Sequence, residues 1–357
     1  LANNPALDYA LADRGNQSNV LALAKTEFDG QLINDFHAET NILEGVTYRF
    51  GGPGSQTNTV PFVGQLQDRL RDDGSPVGGQ TLPAMEREIN YDAKEVESVV
   101  LIPRVEDFRS HINKLPSIAR ESAYALARRR VRRSLTHIAL GARRLARPTS
   151  TAYSFKGGVR VRQNGSVFAT EFPMSATGSR ALQALLANAA LGFQAIDQNP
   201  NGMWKAFCTP TTARVLAADN TLSSMEYSTE VNGRIFTRMV NIVENFMIIP
   251  TNFMPSLYTP QGGSAGVITD DETQYNANVS KSIFLLATGP TAVGIKEANS
   301  IESIGPTYDD KTRTTYAGAV TFSGIKWMQP EHCGEIYLHT SDYATTTDST
   351  NGDYVSI

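Results

Sequence analysis

LPSIARESAYALARRRVRRSLTHIALGARRLAR, residues 115–147, is the stretch on which the architecture turns. It opens with a break at Leu115, Pro116 and Ser117, and a proline suits the first turn of a helix because no amide hydrogen is needed there. From that point Tyr124, Ala127, Val131, Leu135, Ile138, Ala142 and Leu145 recur at helical spacing and form one apolar stripe. A turn of about 100° per residue puts Arg129, Arg132, Arg133, Thr136, Arg143, Arg144 and Arg147 on the opposite side. The pattern predicts a long helix, apolar on one face and strongly basic on the other. Just upstream, Val105, Phe108, Ile112 and Leu115 predict a shorter helix before the break.

Toward the N-terminus, residues 1–40 hold only short apolar patches: Val20, Leu21 and Leu23, then Leu32, Ile33 and Phe36, divided by Asp29 and Gly30. This predicts an arm too poor in core to fold alone, which must lie on something else. In residues 41–103 the period changes to two, with Val46, Tyr48 and Phe50 alternating with polar residues, followed by a Gly51-Gly52-Pro53-Gly54 break and then Val60, Phe62 and Val63. A polar tip containing Asp72, Asp73, Gly74, Gly78 and Gly79 precedes a return strand from Arg87 through Val99, Val100, Leu101 and Ile102. This describes a long two-stranded excursion. An isolated hairpin of that kind is marginal, so it calls for support from another subunit or from the arm.

Beyond the long helix, elements alternate as in an α+β or α/β domain. Residues 181–196 read as a helix, 203–208 as a short strand, and Thr209-Pro210 as the cap and first turn of a helix ending at Leu216. Ile242, Val243, Phe246, Met247, Ile248 and Ile249 read as one strand stopped by Pro250, and residues 260–266 as a glycine-rich surface loop. Strands return at 282–287, 293–296, 317–327 and 336–338, and the Thr/Ser/Asp/Gly tail beyond Thr340 has no core of its own.

Composition removes several classes of function. The 357 residues are 41% hydrophobic and 19% charged, ordinary for a globular chain with a buried core, and the net charge of -4 gives no bulk attraction to nucleic acid. Two distant cysteines, Cys208 and Cys333, make neither a disulfide framework nor a cysteine-rich zinc site, and they fit an intracellular site of synthesis. No apolar run reaches the roughly 18 residues of a membrane span, and the start shows no signal-peptide pattern, so neither a membrane partner nor export is expected. Leu1 is not an initiator methionine, and whether a leader precedes it stays open.

Motifs for chemistry are missing too. None of His37, His111, His137, His332 and His339 falls in a HExxH pattern, and His332, Cys333 and His339 fit no zinc spacing. The glycine-rich pieces match neither a P-loop nor a dinucleotide fingerprint, and there is no GxSxG elbow. Asp270, Asp271 and Glu272 sit together in what reads as a solvated polar loop. Hence no catalytic, cofactor-binding or metal residue is assigned. The arginine face is the strong electrostatic feature, and three readings stay open. It contacts nucleic-acid phosphates, it pairs with carboxylates of the arm or of a neighbouring subunit (Asp29, Asp35, Glu39 and Glu44 being candidates), or it is solvated.

Taken in order, arm, two-stranded loop, long helix, mixed middle and returning strands resemble the major capsid proteins of tailed bacteriophages, the Hong Kong 97-like fold, particularly those of short-tailed, podovirus-type phages. Three stretches carry the likeness. Val105-Glu106-Asp107-Phe108 is similar to the lead into that family's spine helix. Residues 241–255, NIVENFMIIPTNFMP, are similar to its strand-then-proline piece late in the axial domain. Residues 283–296, IFLLATGPTAVGIK, look like the strand pair returning to the peripheral domain.

The resemblance implies an arm over 1–40, an extended loop with leading strands over 41–103, a peripheral domain over 104–165 and 290–345, an axial domain over 166–289 and a tail over 346–357. It also implies a subunit of pentamers and hexamers in an icosahedral shell, in the virion, assembled in the host cytoplasm around double-stranded DNA. Scaffolding and portal proteins are the implied assembly partners, and a decoration protein a further one. The segment around Asp72 to Gly79 gives no basis for a lysine–asparagine cross-link. Expected assembly contacts are Arg129, Arg132, Arg133, Arg143, Phe50, Phe62, Asp72, Asp73, Asp29 and Glu44. Rival readings are an encapsulin-type compartment shell of the same fold, a regulatory nucleic-acid-binding protein using the arginine helix, and an enzyme on an α+β scaffold.

Overall fold

The structure, a computed structural model, describes residues 17–50, 57–63, 84–103, 115–144, 147–150, 153–155, 157–163, 174–195, 204–218, 230–231, 234–235, 242–309, 314–338 and 355–356. In chain order it contains α1 (Gln17–Thr40), β1 (Thr47–Phe50), β2 (Thr57–Val63), β3 (Ala84–Asn90), β4 (Val96–Pro103) and α2 (Leu115–Ala142). Next come β5 (Arg147–Ser150), β6 (Tyr153–Phe155), β7 (Val159–Gln163), α3 (Ala176–Ala195), β8 (Trp204–Cys208), α4 (Pro210–Leu216), β9 (Glu230–Val231) and β10 (Arg234–Ile235). The remainder is β11 (Ile242–Val243), β12 (Phe246–Pro250), β13 (Val267–Ile268), β14 (Ala277–Asn278), β15 (Ser282–Ala287), β16 (Val293–Asp309), β17 (Thr314–Trp327), β18 (Cys333–Leu338) and β19 (Val355–Ser356).

Helix α2 lies where the periodicity put it, and it organises everything else. Its N-terminal half packs against α1, where Phe28, Leu32 and Phe36 recur every fourth residue and are all buried. They meet Ile118, Ala119, Ala123, Leu126 and Ala127, with Ile102, Ala317 and Ala319 closing the cluster. The segment expected as a coreless arm is therefore a packed helix over its described part, and what it lies on is its own chain. Between its three large side chains stand polar residues and the exposed Ile33, so only the facing alanines of α2 reveal that the three make a core.

Two sheets flank α2. One has four strands in the order β1-β16-β17-β4, with β1 parallel to β16 and the rest antiparallel. The other has six, in the order β11-β12-β8-β15-β18-β7. In the six-stranded sheet Phe207, Leu285 and Ala287 face α2, joining Val131, Leu135, Ile138 and Trp327. The alternate residues Ala206, Cys208, Phe284 and Leu286 face α3, joining Leu182, Leu186 and Phe193. Burial on both faces explains why residues 282–287 are an unbroken buried run and not an alternating one.

One expectation changes here. The strand predicted across 242–249 is a tight hairpin, because Glu244 and Asn245 take φ of 48° and 70° and turn the chain between β11 and β12. Strands β7 and β18 complete the six-stranded sheet, pairing in parallel.

The two-stranded excursion is present as β2 and β3, antiparallel from Thr57 opposite Asn90 to Val63 opposite Ala84, whereas Val99 to Ile102, expected on its return strand, lie on the separate strand β4 and pair with β17. Its base passes over β17 at Gly324, where any Cβ would overlap the Asn90 carbonyl. Its tip, with Asp72 and Asp73, and the helix expected near 105–112 lie outside the described residues. Of the tail, Val355 and Ser356 pair with the edge of β3.

Candidate functional site along the arginine-rich helix

The basic side of α2 is not a solvent-facing stripe: Arg130, Arg133 and Arg143 are buried, and each meets a carboxylate distant in sequence. Because a buried charge without a partner is costly, these contacts decide how the parts of the fold sit on the helix.

The central cluster is built on Arg133. Its Nη1 donates to Asp92 Oδ2 at 2.6 Å, while Nε and Nη2 donate to the two carboxylate oxygens of Asp270 at 2.9 and 2.6 Å. Such a two-pronged pairing uses the planar fork that only arginine offers. Asp92 also accepts from Gln274 Nε2 and from the Tyr275 hydroxyl, both at 2.7 Å, and that hydroxyl in turn accepts from the Ile325 amide at 3.0 Å. The Arg133 guanidinium lies 4.1 Å from the Tyr275 ring centre. Arg129 adds a 2.9 Å bond to Asp270. Asp92 sits just after β3, so the cluster ties the base of the extended loop to α2, to the 270–276 segment and to β17.

Burial raises the Asp92 carboxyl to about 6, opposed by the Tyr275 hydroxyl and by Arg133. Burial pushes Asp270 in the same direction, yet the bond and charge of Arg133, with Arg129, outweigh it and hold that group at about 2. Asp270 is thus an ion-paired anchor and not the solvated loop residue expected from sequence.

A second cluster pins the six-stranded sheet to the C-terminal end of α2. Arg143 donates from Nε and Nη2 to the two oxygens of Glu335 at 2.9 and 2.7 Å, and Arg160 Nε adds a bond at 3.1 Å. Ser282 Oγ donates to the same carboxylate at 2.6 Å, and Arg143 also reaches the Asn278 carbonyl at 2.9 Å. Glu335 is wholly buried; burial alone would raise its carboxyl, but Arg143 and then Arg160 bring it below the usual range. Arg130, paired with Glu297, is lowered to about 9 by burial and by the charge of Arg49.

The remaining sequence-picked residues are placed as follows. Arg129 and Arg132 are half-buried beside Arg128, and the Arg132 guanidinium stacks 3.9 Å from the Tyr258 ring centre. Phe50 is half-buried near Ile89 and Met328, in edge contact with the exposed Tyr48 at 4.8 Å. Asp29 is half-buried on α1 and Glu44 is exposed, its carbonyl accepting from Lys205. Phe62 lies on β2, and nothing of its side chain is described. None of Asp29, Asp35, Glu39 and Glu44 supplies a partner to the α2 arginines in the ion pairs of the described residues; Asp92, Asp270, Glu297 and Glu335 do. Those four could not be found from spacing, since they lie between 41 and 192 residues from their partners.

Cys208 and Cys333 are both buried and free. The His332 ring meets Thr288 Oγ1 at 3.1 Å, while His339 lies outside the described residues. Among the described residues no group of three or more His, Cys, Asp or Glu is arranged to hold a metal ion, and no helix is long and apolar enough to cross a membrane.

Neither a protein-family model nor a curated protein sequence matches the chain. Solved structures do match. The capsid protein of cyanophage P-SCSP1u superposes with a TM-score of 0.63 at 19% identity, over 84% of this chain and 88% of that one. That of the mature capsid of bacteriophage PhiM1 gives 0.62 at 14% identity, over 84% and 87%. That of Ralstonia phage GP4 gives 0.51 at 12%, over 83% and 88%. At such low identity it is the path of the backbone that is shared, and it is shared over most of both chains. Long helix, extended two-stranded loop, four-stranded sheet and doubly covered six-stranded sheet together make this chain an α+β protein with the Hong Kong 97-like fold of phage capsid subunits.

Proposed function

We propose that this chain is the major capsid protein of a tailed phage, a non-enzymatic subunit that assembles into pentamers and hexamers of an icosahedral shell around double-stranded DNA. The observation that carries the proposal is the superposition on the cyanophage capsid subunit over 84% of this chain and 88% of that one. The features of the chain suit such a role. A projecting hairpin and exposed apolar residues on the edge strands, such as Tyr48, Val100 and Leu101, are aggregation hazards for a monomer and contact surfaces in a closed assembly.

In this reading the extended loop reaches an adjacent subunit, and the contact residues are Phe50, Phe62, Asp72, Asp73, Asp29, Glu44, Arg129 and Arg132. Arg133 and Arg143 act indirectly, by setting the angle of the loop and of the sheet on α2. Scaffolding and portal proteins take part during assembly in the host cytoplasm, DNA lies against the inner face, and a decoration protein binds outside. Electron microscopy of the purified full-length protein, with and without a scaffold, tests the proposal. Closed icosahedral shells are expected. A small soluble species under every assembly condition overturns it.

A further inference from the structure

Between α2 and the 258–271 segment lies a recess of about 310 Å³, lined by Arg128, Arg129, Arg132 and Arg133 together with Tyr258, Asp270 and Asp271. Four guanidinium groups face Asp270 and Asp271, and Asp92 takes the remaining side of Arg133, which leaves one positive charge in excess. The carboxylates are already engaged: Asp270 accepts from Arg133 and Arg129, and Asp271, largely exposed on the rim, stands 3.9 Å from Arg129. Arg132 is the group left over. Its guanidinium is held against the Tyr258 ring, its Nε is buried with no protein partner, and its charge is disfavoured, first by burial and next by Arg128, so that its pKa is brought to about 10.

Like charges do not stay close in a half-buried recess without a counter-charge. The residues that crowd Arg132 are its helix neighbours four and three positions earlier, which project toward the same side of α2. Guanidinium groups prefer planar, multi-oxygen anions that accept several hydrogen bonds at once. The donors of Arg132 and Arg128 suit an anion with several oxygens better than a single carboxylate, and the size of the open recess suits a compact one.

We propose that this recess is a binding site for a phosphate group, held by Arg132 and Arg128 with Arg129 at its edge and Tyr258 as the platform behind. The source of the phosphate group is the free ion or the backbone of a nucleic acid, and the same chemistry serves both. The inference does not depend on shell formation, because all the residues belong to one chain.

Titration calorimetry on the full-length subunit at constant ionic strength, with sodium phosphate as the probe and acetate as the comparator, tests it. One phosphate is expected to bind per chain, with acetate at least tenfold weaker. Arg132→Gln is expected to weaken phosphate binding tenfold or more, with the melting temperature in the absence of phosphate unchanged. Arg128→Gln, at an exposed position, is expected to weaken it severalfold with the melting temperature in the absence of phosphate unchanged. A short single-stranded oligonucleotide that displaces phosphate identifies nucleic acid as the source; one that does not identifies the free ion. The proposal is overturned by the absence of saturable phosphate binding, by equal binding of acetate, or by full binding in both variants.

Discussion

Replacing Arg133 with methionine removes the cation shared by Asp92 and Asp270 and should expose how the extended loop is anchored. After the change Asp270 keeps Arg129 at 2.9 Å, but Asp92 keeps only neutral donors, the Tyr275 hydroxyl and the Gln274 amide. Breaking a buried pair from one side costs about 3–5 kcal/mol. Asp92 has an escape, because burial already raises it to about 6 from a reference value of 3.8, and losing Arg133 raises it further. The sign follows from proton counting. In the wild type the folded state holds the Asp92 proton more tightly than the unfolded chain, so this group takes stability away as pH rises from about 4 to 6 and adds no slope above that.

In the variant the proton is still bound in the folded state above pH 6 and is absent from the unfolded chain. Stability should therefore keep falling, by up to about 1.4 kcal/mol for each pH unit between 6 and 8. Urea unfolding of the soluble subunit at pH 6, 7 and 8 measures this, provided the m-value is unchanged. Adding Asp92→Asn to the variant should flatten the profile and recover part of the loss. A deficit under about 1 kcal/mol at pH 8, or parallel profiles for wild type and variant, would refute the assigned role of the pair.

Leu32→Ala should cost about 2–5 kcal/mol in the same unfolding assay, since that side chain is wholly buried between α1 and α2; a coreless arm would show almost no change. Glu335→Gln should lower the melting temperature, because two arginines then face a neutral amide in a buried site. The wild-type contribution of Glu335 should be complete above its unfolded-state value near 4.5 and fade as pH falls through its lower folded value, as melting curves between pH 3 and 6 would record. The Cys208 thiol is pushed up to about 12 by burial, and burial raises Cys333 further. A thiol reagent should find neither cysteine in the folded subunit and both after unfolding.

Local chemistry made much of the chain legible. The long helix, the Thr209 cap with Pro210, the leading strand of the extended loop and the returning strands follow from spacing within short windows, whereas the division of the loop's return into β3 and β4 does not. Thr209 accepts from the Thr212 amide, as its position before a proline and a helix suggested. Residues 17–40 were misread because Phe28, Leu32 and Phe36 make a stripe too thin to announce a core, whose other half is about 90 residues away. The turn at Glu244 and Asn245 has no glycine to announce it, and although asparagine accepts a positive φ, Asn245 stands inside an apolar run that reads as one strand.

What the sequence determined by itself is the order of elements and the presence of a strongly basic helix, because both depend on neighbours a turn or a strand away. What only the tertiary structure decided is the meaning of the arginines. Whether a guanidinium faces solvent or lies buried depends on which carboxylates the fold delivers to it, and Asp92, Asp270, Glu297 and Glu335 come from four separate segments. Burial then turns each pair from a weak surface contact into a fixed joint, since separating the charges would strand one of them away from water.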